Sequence, residues 1–136
     1  MDVRGVWKGG FETELQDDRG HRVTIDLPVE EGGRDAGSSA LELGILSVVG
    51  CILTIFCLVA QRRRLSFTRL AVRLTAERPE RAPTVQRVHG RLEVGTSASK
   101  EDVETVLRLT LKTCPMGVLL AQAHVPVVVS ADIRPE

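Results

Sequence analysis

The chain has 136 residues, 18 basic and 18 acidic side chains, one tryptophan, three phenylalanines and no tyrosine. That length favours a single domain over residues 1–136 with one modest core, which must be built from Val, Leu, Ile and Ala. Zero net charge leaves no electrostatic footprint for nucleic acid, and the shortage of aromatic rings leaves no base-stacking platform.

Residues 3–8, 10–16 and 21–27 alternate in character as half-buried strands do, with Val23, Ile25 and Leu27 on one face. Between the second and third runs, Asp17-Asp18-Arg19-Gly20 reads as a hairpin turn, glycine taking the position that tolerates positive φ. An antiparallel meander over residues 1–28 follows, and the Gly- and charge-rich residues 28–38 form a loop. Arg4 and Lys8 are followed by Gly9, Gly10 and a polar stretch rather than an apolar segment, so no signal peptide is read. The expectation is a cytoplasmic protein whose thiols are reduced at rest.

Ser39-Ala40-Leu41-Glu42 is a capping-box pattern, in which hydroxyl and carboxylate each satisfy an orphan N–H at a helix start. Behind it, Leu43 to Ala60 is 18 residues without a charge, closed by Gln61-Arg62-Arg63-Arg64. The central helix expected over residues 39–63 is apolar on nearly every side, so it is either a core helix or a membrane span. Gly44, Ser47, Gly50 and Thr54 interrupt the run, and the two flanks read as halves of one sheet, which a bilayer would separate. A core helix with no membrane contact is the expectation. A monomer this small cannot cover such a helix on all sides, which predicts a homodimer.

Residues 65–76 alternate again, with Leu70, Val72 and Leu74 inward and Arg69, Ala71 and Arg73 outward. A charged, Pro-containing turn over 77–83 leads to a strand over 85–94 that groups Val88, Gly90, Leu92 and Val94. Ser99 to Asp102 is a second capping box, opening a helix with Val103, Leu107, Thr110 and Cys114 on one stripe. Pro115 suits the first turn of a short helix reaching Ala123, and Val125–Ile133 closes the chain as a strand. Residues 65–136 thus read β-β-α-α-β, and the whole chain is α+β.

The three cysteines have no CxxC spacing, and His21, His89 and His124 are scattered, so neither a disulfide framework nor a metal site is read. Gly44, Ser47, Cys51, Thr54 and Leu58 fall on one stripe of the long helix. Cys51 is therefore either a thiolate in a shallow apolar pocket, suited to an oily electrophile, or an inert core residue among small packing side chains. Cys114 sits where the dipole of the helix opened by Pro115 would lower a thiol pKa, or else it is a poor cap on a buried stripe. Cys57, about 120° around the helix from Cys51, reads as core. Glu42 lies nine positions before Cys51, on the opposite side of a continuous helix, and within one chain is better explained by its capping box; it reaches a Cys51 site only if the helix start bends or across a dimer interface. Arg34 or Arg19 could supply a guanidinium to a thiolate, and the spacing selects neither. Arg62–Arg64 is a solvated helix end that favours the dipole.

Ala40-Leu41-Glu42-Leu43 followed by Val49-Gly50-Cys51 resembles the P-x-E-L-L-L-A-A-L-G-G-C helix of the OsmC/Ohr family, with the same Glu-to-Cys spacing. Thr113-Cys114-Pro115-Met116 is similar to that family's second motif, a Cys-Pro or Cys-Ser step before a short helix. The Gly32-Gly33 loop, the Pro79 turn and the Gly90 strand fall where the family has like features, so the resemblance runs over roughly residues 3–130. It implies intertwined homodimers, with antiparallel sheets wrapped around the long central helix and active sites at the subunit interface. It implies reduction of organic hydroperoxides in oxidative stress defence, with Cys51 peroxidatic, Cys114 resolving and Glu42 positioning an activating Arg. No bound cofactor is implied; the reductant would be an external dithiol of the lipoyl type. Ala40 replaces the usual Pro of the motif, and the activating Arg has no clear counterpart. The alternative is a non-enzymatic dimer of the same fold that holds a small apolar ligand in its interface pocket.

Overall fold

The computed structural model describes residues 1–136. It divides into two compact units, Met1–Leu46 and Ser47–Glu136.

In the first unit, β1 (Val3–Gly9), β2 (Glu12–Asp17) and β3 (Arg22–Ile25) form an antiparallel sheet in the order β1-β2-β3. β2 begins later than its alternation predicts because Gly9 and Gly10 both take positive φ to reverse the chain, and the Trp7 indole N–H closes the turn on the Gly10 carbonyl at 2.9 Å. At the second hairpin the Asp17 carboxylate accepts the Arg19 and His21 N–H groups, both at 2.9 Å, the side-chain turn expected of Asp in that place. The loop that follows contains one turn of 3-10 helix, Val29–Glu31, and wraps around Asp26, the only buried residue of the unit. The Asp26 carboxylate accepts N–H groups from Leu27 (2.8 Å), Arg34 (3.1 Å) and Ala36 (3.1 Å). Burial works to raise its pKa, yet those three donors outweigh it and the net shift is downward. Glycine is required at Gly33, where an added Cβ would lie 1.9 Å from the Leu27 carbonyl oxygen.

The helix α1 (Ala40–Arg62) starts in the first unit, and the second unit continues with β4 (Arg69–Glu77), β5 (Arg87–Gly95), α2 (Lys100–Thr113), α3 (Pro115–Gln122) and β6 (Val127–Arg134). Strand order is β4-β5-β6. β4 and β5 pair antiparallel over their full length, but β5 and β6 are parallel, which corrects the expectation of purely antiparallel sheets. The connection through α2 and α3 returns the chain to the end where β5 began, and a crossover of that length is what a parallel pair requires. β4 also starts later than expected, because Arg64 turns left-handed (φ 57°) and the Leu65 N–H still caps the Ala60 carbonyl of α1 at 2.9 Å.

The core of this unit joins Val48, Ile52, Phe56 and Ala60 of α1 to Leu92 and Val94 of β5, Val103, Val106 and Leu107 of α2, Cys114, and Val129 of β6. Phe56 also meets Phe67 edge to face, ring centres 5.9 Å apart. Only that four-residue stripe of α1 is buried; Leu46 and Leu58 are exposed. By length and composition α1 is a candidate to cross a membrane, and its one buried stripe is what packs it onto protein.

Phe56→Ala removes the largest side chain in this cluster and should lower unfolding stability by about 3–5 kcal/mol in urea titrations. A loss below about 1 kcal/mol would show that the α1 stripe is not closely packed.

Candidate active site

Two packing stripes converge on a pair of thiols. On α1 the buried residues recur every fourth position, Val48, Ile52, Phe56 and Ala60, and Cys51 precedes Ile52. Cys51 is accordingly half-buried, packed against the edge of the core. On α2 the stripe Val103, Leu107 and Thr110 runs directly into Cys114, which is fully buried. The Cys114 N–H donates to the Thr110 carbonyl (2.8 Å), ending α2, and its own carbonyl accepts from Val118 (2.9 Å), starting α3 behind Pro115. The two sulfur atoms lie 2.8 Å apart, with the Cys114 thiol donating toward Cys51 Sγ. Both are free thiols, at a separation greater than the roughly 2.05 Å of a disulfide bond.

The surroundings of the pair are apolar. Thr96 and Thr110 are the only buried polar residues of the Ser47–Glu136 unit, and their hydroxyls are spent on the Ser66 and Val106 carbonyls at 2.6 and 2.8 Å. Burial pushes the Cys114 pKa up to about 11, and the hydrogen bond to Cys51 adds to the rise. The amides of Gly117 and Met116 pull the other way, but no side-chain cap hydrogen bond forms at the start of α3. The expected lowering by the helix dipole is thus overturned: in a short helix of 8 residues, desolvation of the thiolate is the larger effect.

The remaining sequence candidates lie elsewhere. Cys57 is exposed, which corrects its reading as core: it follows Phe56 by one residue, and that step of about 100° turns it out of the buried stripe. The small-residue stripe borders the core instead of entering it, since Ser47, Thr54 and Leu58 are exposed. Glu42 closes the capping box as read, its carboxylate accepting the Ser39 N–H at 2.7 Å while Ser39 Oγ accepts the Glu42 N–H at 3.3 Å. The Ser39 amide, with help from the hydroxyl, holds the Glu42 pKa below its ordinary value. Arg34 pairs through its guanidinium with Glu12, and Arg19 lies 3.6 Å from Asp17 on the exposed hairpin. Sequence reasoning missed the role of Asp26; the available signal was an acidic residue ending an apolar strand immediately before a Gly-rich loop. No three His, Cys, Asp or Glu side chains converge on a point that could hold a metal ion.

A family model described as OsmC-like protein matches residues 32–130, from the Gly-rich loop to the middle of β6, a span that includes Glu42, Cys51 and Cys114. The chain belongs to the OsmC-like family. Among solved structures it is similar to an OsmC-like protein from Mycoplasma pneumoniae (16% identity, 97% of this chain and 95% of that one, TM-score 0.86). It is also similar to an organic hydroperoxide resistance protein from Legionella pneumophila (16% identity, 96% and 95%, TM-score 0.73). A third likeness is to the organic hydroperoxide resistance protein OhrB of Bacillus subtilis (16% identity, 96% of each chain, TM-score 0.65). At these identities the likenesses establish the shared α+β fold. No curated protein matches the chain significantly.

Within this OsmC-like fold the raised Cys114 pKa has a thermodynamic consequence. A thiol whose pKa rises on folding contributes stability that is complete below its unfolded pKa and is lost as pH climbs toward about 11. Denaturation midpoints at about pH 8 and about pH 10.5 should therefore fall more steeply for the native chain than for Cys114→Ala. Equal slopes would contradict the burial-driven shift.

Proposed function

We propose that this OsmC-like protein reduces organic hydroperoxides by a two-cysteine mechanism in oxidative stress defence. The observation that carries this reading is the 2.8 Å approach of Cys51 and Cys114 Sγ at the border of an apolar core. Cys51 thiolate attacks the distal peroxide oxygen; the O–O bond breaks, an alkoxide leaves and takes up a proton as the alcohol, and Cys51 becomes a sulfenic acid. The Cys114 thiol then condenses with it, forming the S–S bond and releasing water. An external dithiol of the lipoyl type restores both thiols by exchange, ending as its own disulfide. Half-buried Cys51 is open to the substrate, whereas fully buried Cys114 is sheltered from it. Glu42, the motif glutamate, is kept anionic by Ser39 and stands on the far side of α1 from Cys51, so the guanidinium it is proposed to anchor would activate a thiolate across the dimer interface.

A cytoplasmic homodimer completes the proposal. Support for the second copy comes from apolar surface that one chain leaves open: Leu46 and Leu58 on α1, Val3, Val6 and Trp7 on β1, and Phe11 in the turn that follows. A three-stranded sheet with a single buried residue in its whole unit does not stabilise itself. The same open apolar surface favours one alternative, a dimer that retains a small apolar ligand with its thiols incidental; a ligand co-purifying with an inactive protein would decide for it.

With cumene hydroperoxide and a dithiol reductant, Cys51→Ser should abolish turnover. Cys114→Ser should let Cys51 run on to sulfinic acid under excess peroxide, read by mass spectrometry. Full activity of the first variant, or unchanged resistance to over-oxidation of the second, would overturn the assignment.

A further inference from the structure

We infer that Cys114 acts before it resolves: its S–H stabilises the Cys51 thiolate by a direct hydrogen bond, and the same proton later leaves with the sulfenic hydroxyl as water. The inference deepens the peroxidase reading and rests on it for the final step only; the contact between the two sulfurs is independent of that reading.

Two thiols 2.8 Å apart in an apolar setting do not both ionise, because the second charge would face the first at short range with little solvent to screen it. Which sulfur keeps the proton is decided by how much water each one sees. Cys51 is half-buried, whereas Cys114 is fully buried in one core cluster with Val103, Val106 and Leu107 of α2. Its sulfur therefore retains the proton, as its raised pKa also indicates. The Cys114 thiol is directed toward Cys51 Sγ, and a hydrogen bond to a charged form favours that form.

The proton balance closes. In the reacting form of the pair Cys51 is S⁻ and Cys114 is SH. After the peroxide oxygen has been transferred, the Cys114 sulfur forms the S–S bond, the Cys51 S–O bond breaks, and hydroxide departs with the Cys114 proton as water. Two thiols are oxidised to one disulfide and one hydroperoxide is reduced to an alcohol. The arrangement also keeps Cys114 protonated, and so unreactive toward peroxide, until a sulfenic acid stands beside it.

The test is the pH profile of Cys51 alkylation by iodoacetamide, mapped by peptide mass spectrometry in a Cys57→Ala background that removes the exposed third thiol. Replacing Cys114 with Ala deletes the donor, and the pH of half-maximal alkylation should move upward by about one unit. Replacing it with Ser keeps a donor, and the midpoint should stay closer to that of the parent. Identical midpoints in all three proteins, or equal shifts in the Ala and Ser variants, would overturn the inference. Hydroperoxide turnover is read separately. Unchanged midpoints in an active parent remove the hydrogen-bond role and leave the peroxidase reading; shifted midpoints in a parent without turnover do the reverse.

Discussion

The packing of α1 through Val48, Ile52, Phe56 and Ala60 is the constraint on which the site depends. A helix advances about 100° per residue, so a buried stripe fixes the direction of every other side chain along it. Cys51 stands one step from Ile52 and is held at the core's edge, while Cys57, one step beyond Phe56, is turned out. A second stripe, Val103, Leu107 and Thr110 on α2, independently delivers Cys114 to the same spot. Neither sulfur is placed by a polar network; apolar burial on two helices brings them to 2.8 Å.

The charge states follow from what each buried group finds around it. Asp26 and Cys114 are both buried, yet their pKa values move in opposite senses relative to what charge requires. Asp26 meets three backbone N–H groups in good geometry, and these outweigh the desolvation of its carboxylate. Cys114 meets aliphatic side chains, a short helix start without a closed cap bond and another sulfur, so the neutral form wins. One environment supports a fixed anion that organises a loop. The other supports a thiol that holds its proton until the chemistry calls for it.

Much of this was legible in the sequence because local rules and tertiary context agree there. The capping box at Ser39, the Ser99 N-cap, the Asp17–Gly20 turn, the α2 stripe and Pro115 at a helix start are found where spacing put them, although at Ser99 the Asp102 carboxylate accepts the hydroxyl and leaves the box half closed. The parallel pairing of β6 was not readable from alternation, which gives a strand's faces and not its direction. An almost uniformly apolar α1 hides its own phase, so the exposure of Cys57 had no periodic signal to announce it. The dipole argument for Cys114 named a real effect and lacked its competitor, since the depth of burial is a property of the assembled core. Asp26 was overlooked for the same reason: its three donors come from residues up to 10 positions away.

The most direct measurement is the intact mass and free-thiol count of the reduced protein after one equivalent of cumene hydroperoxide, followed by peptide mapping. Loss of two thiols to a Cys51–Cys114 disulfide, with Cys57 still free, is the predicted result. Survival of all three thiols in a protein that remains folded would contradict the two-cysteine chemistry and leave the OsmC-like fold as a scaffold for binding.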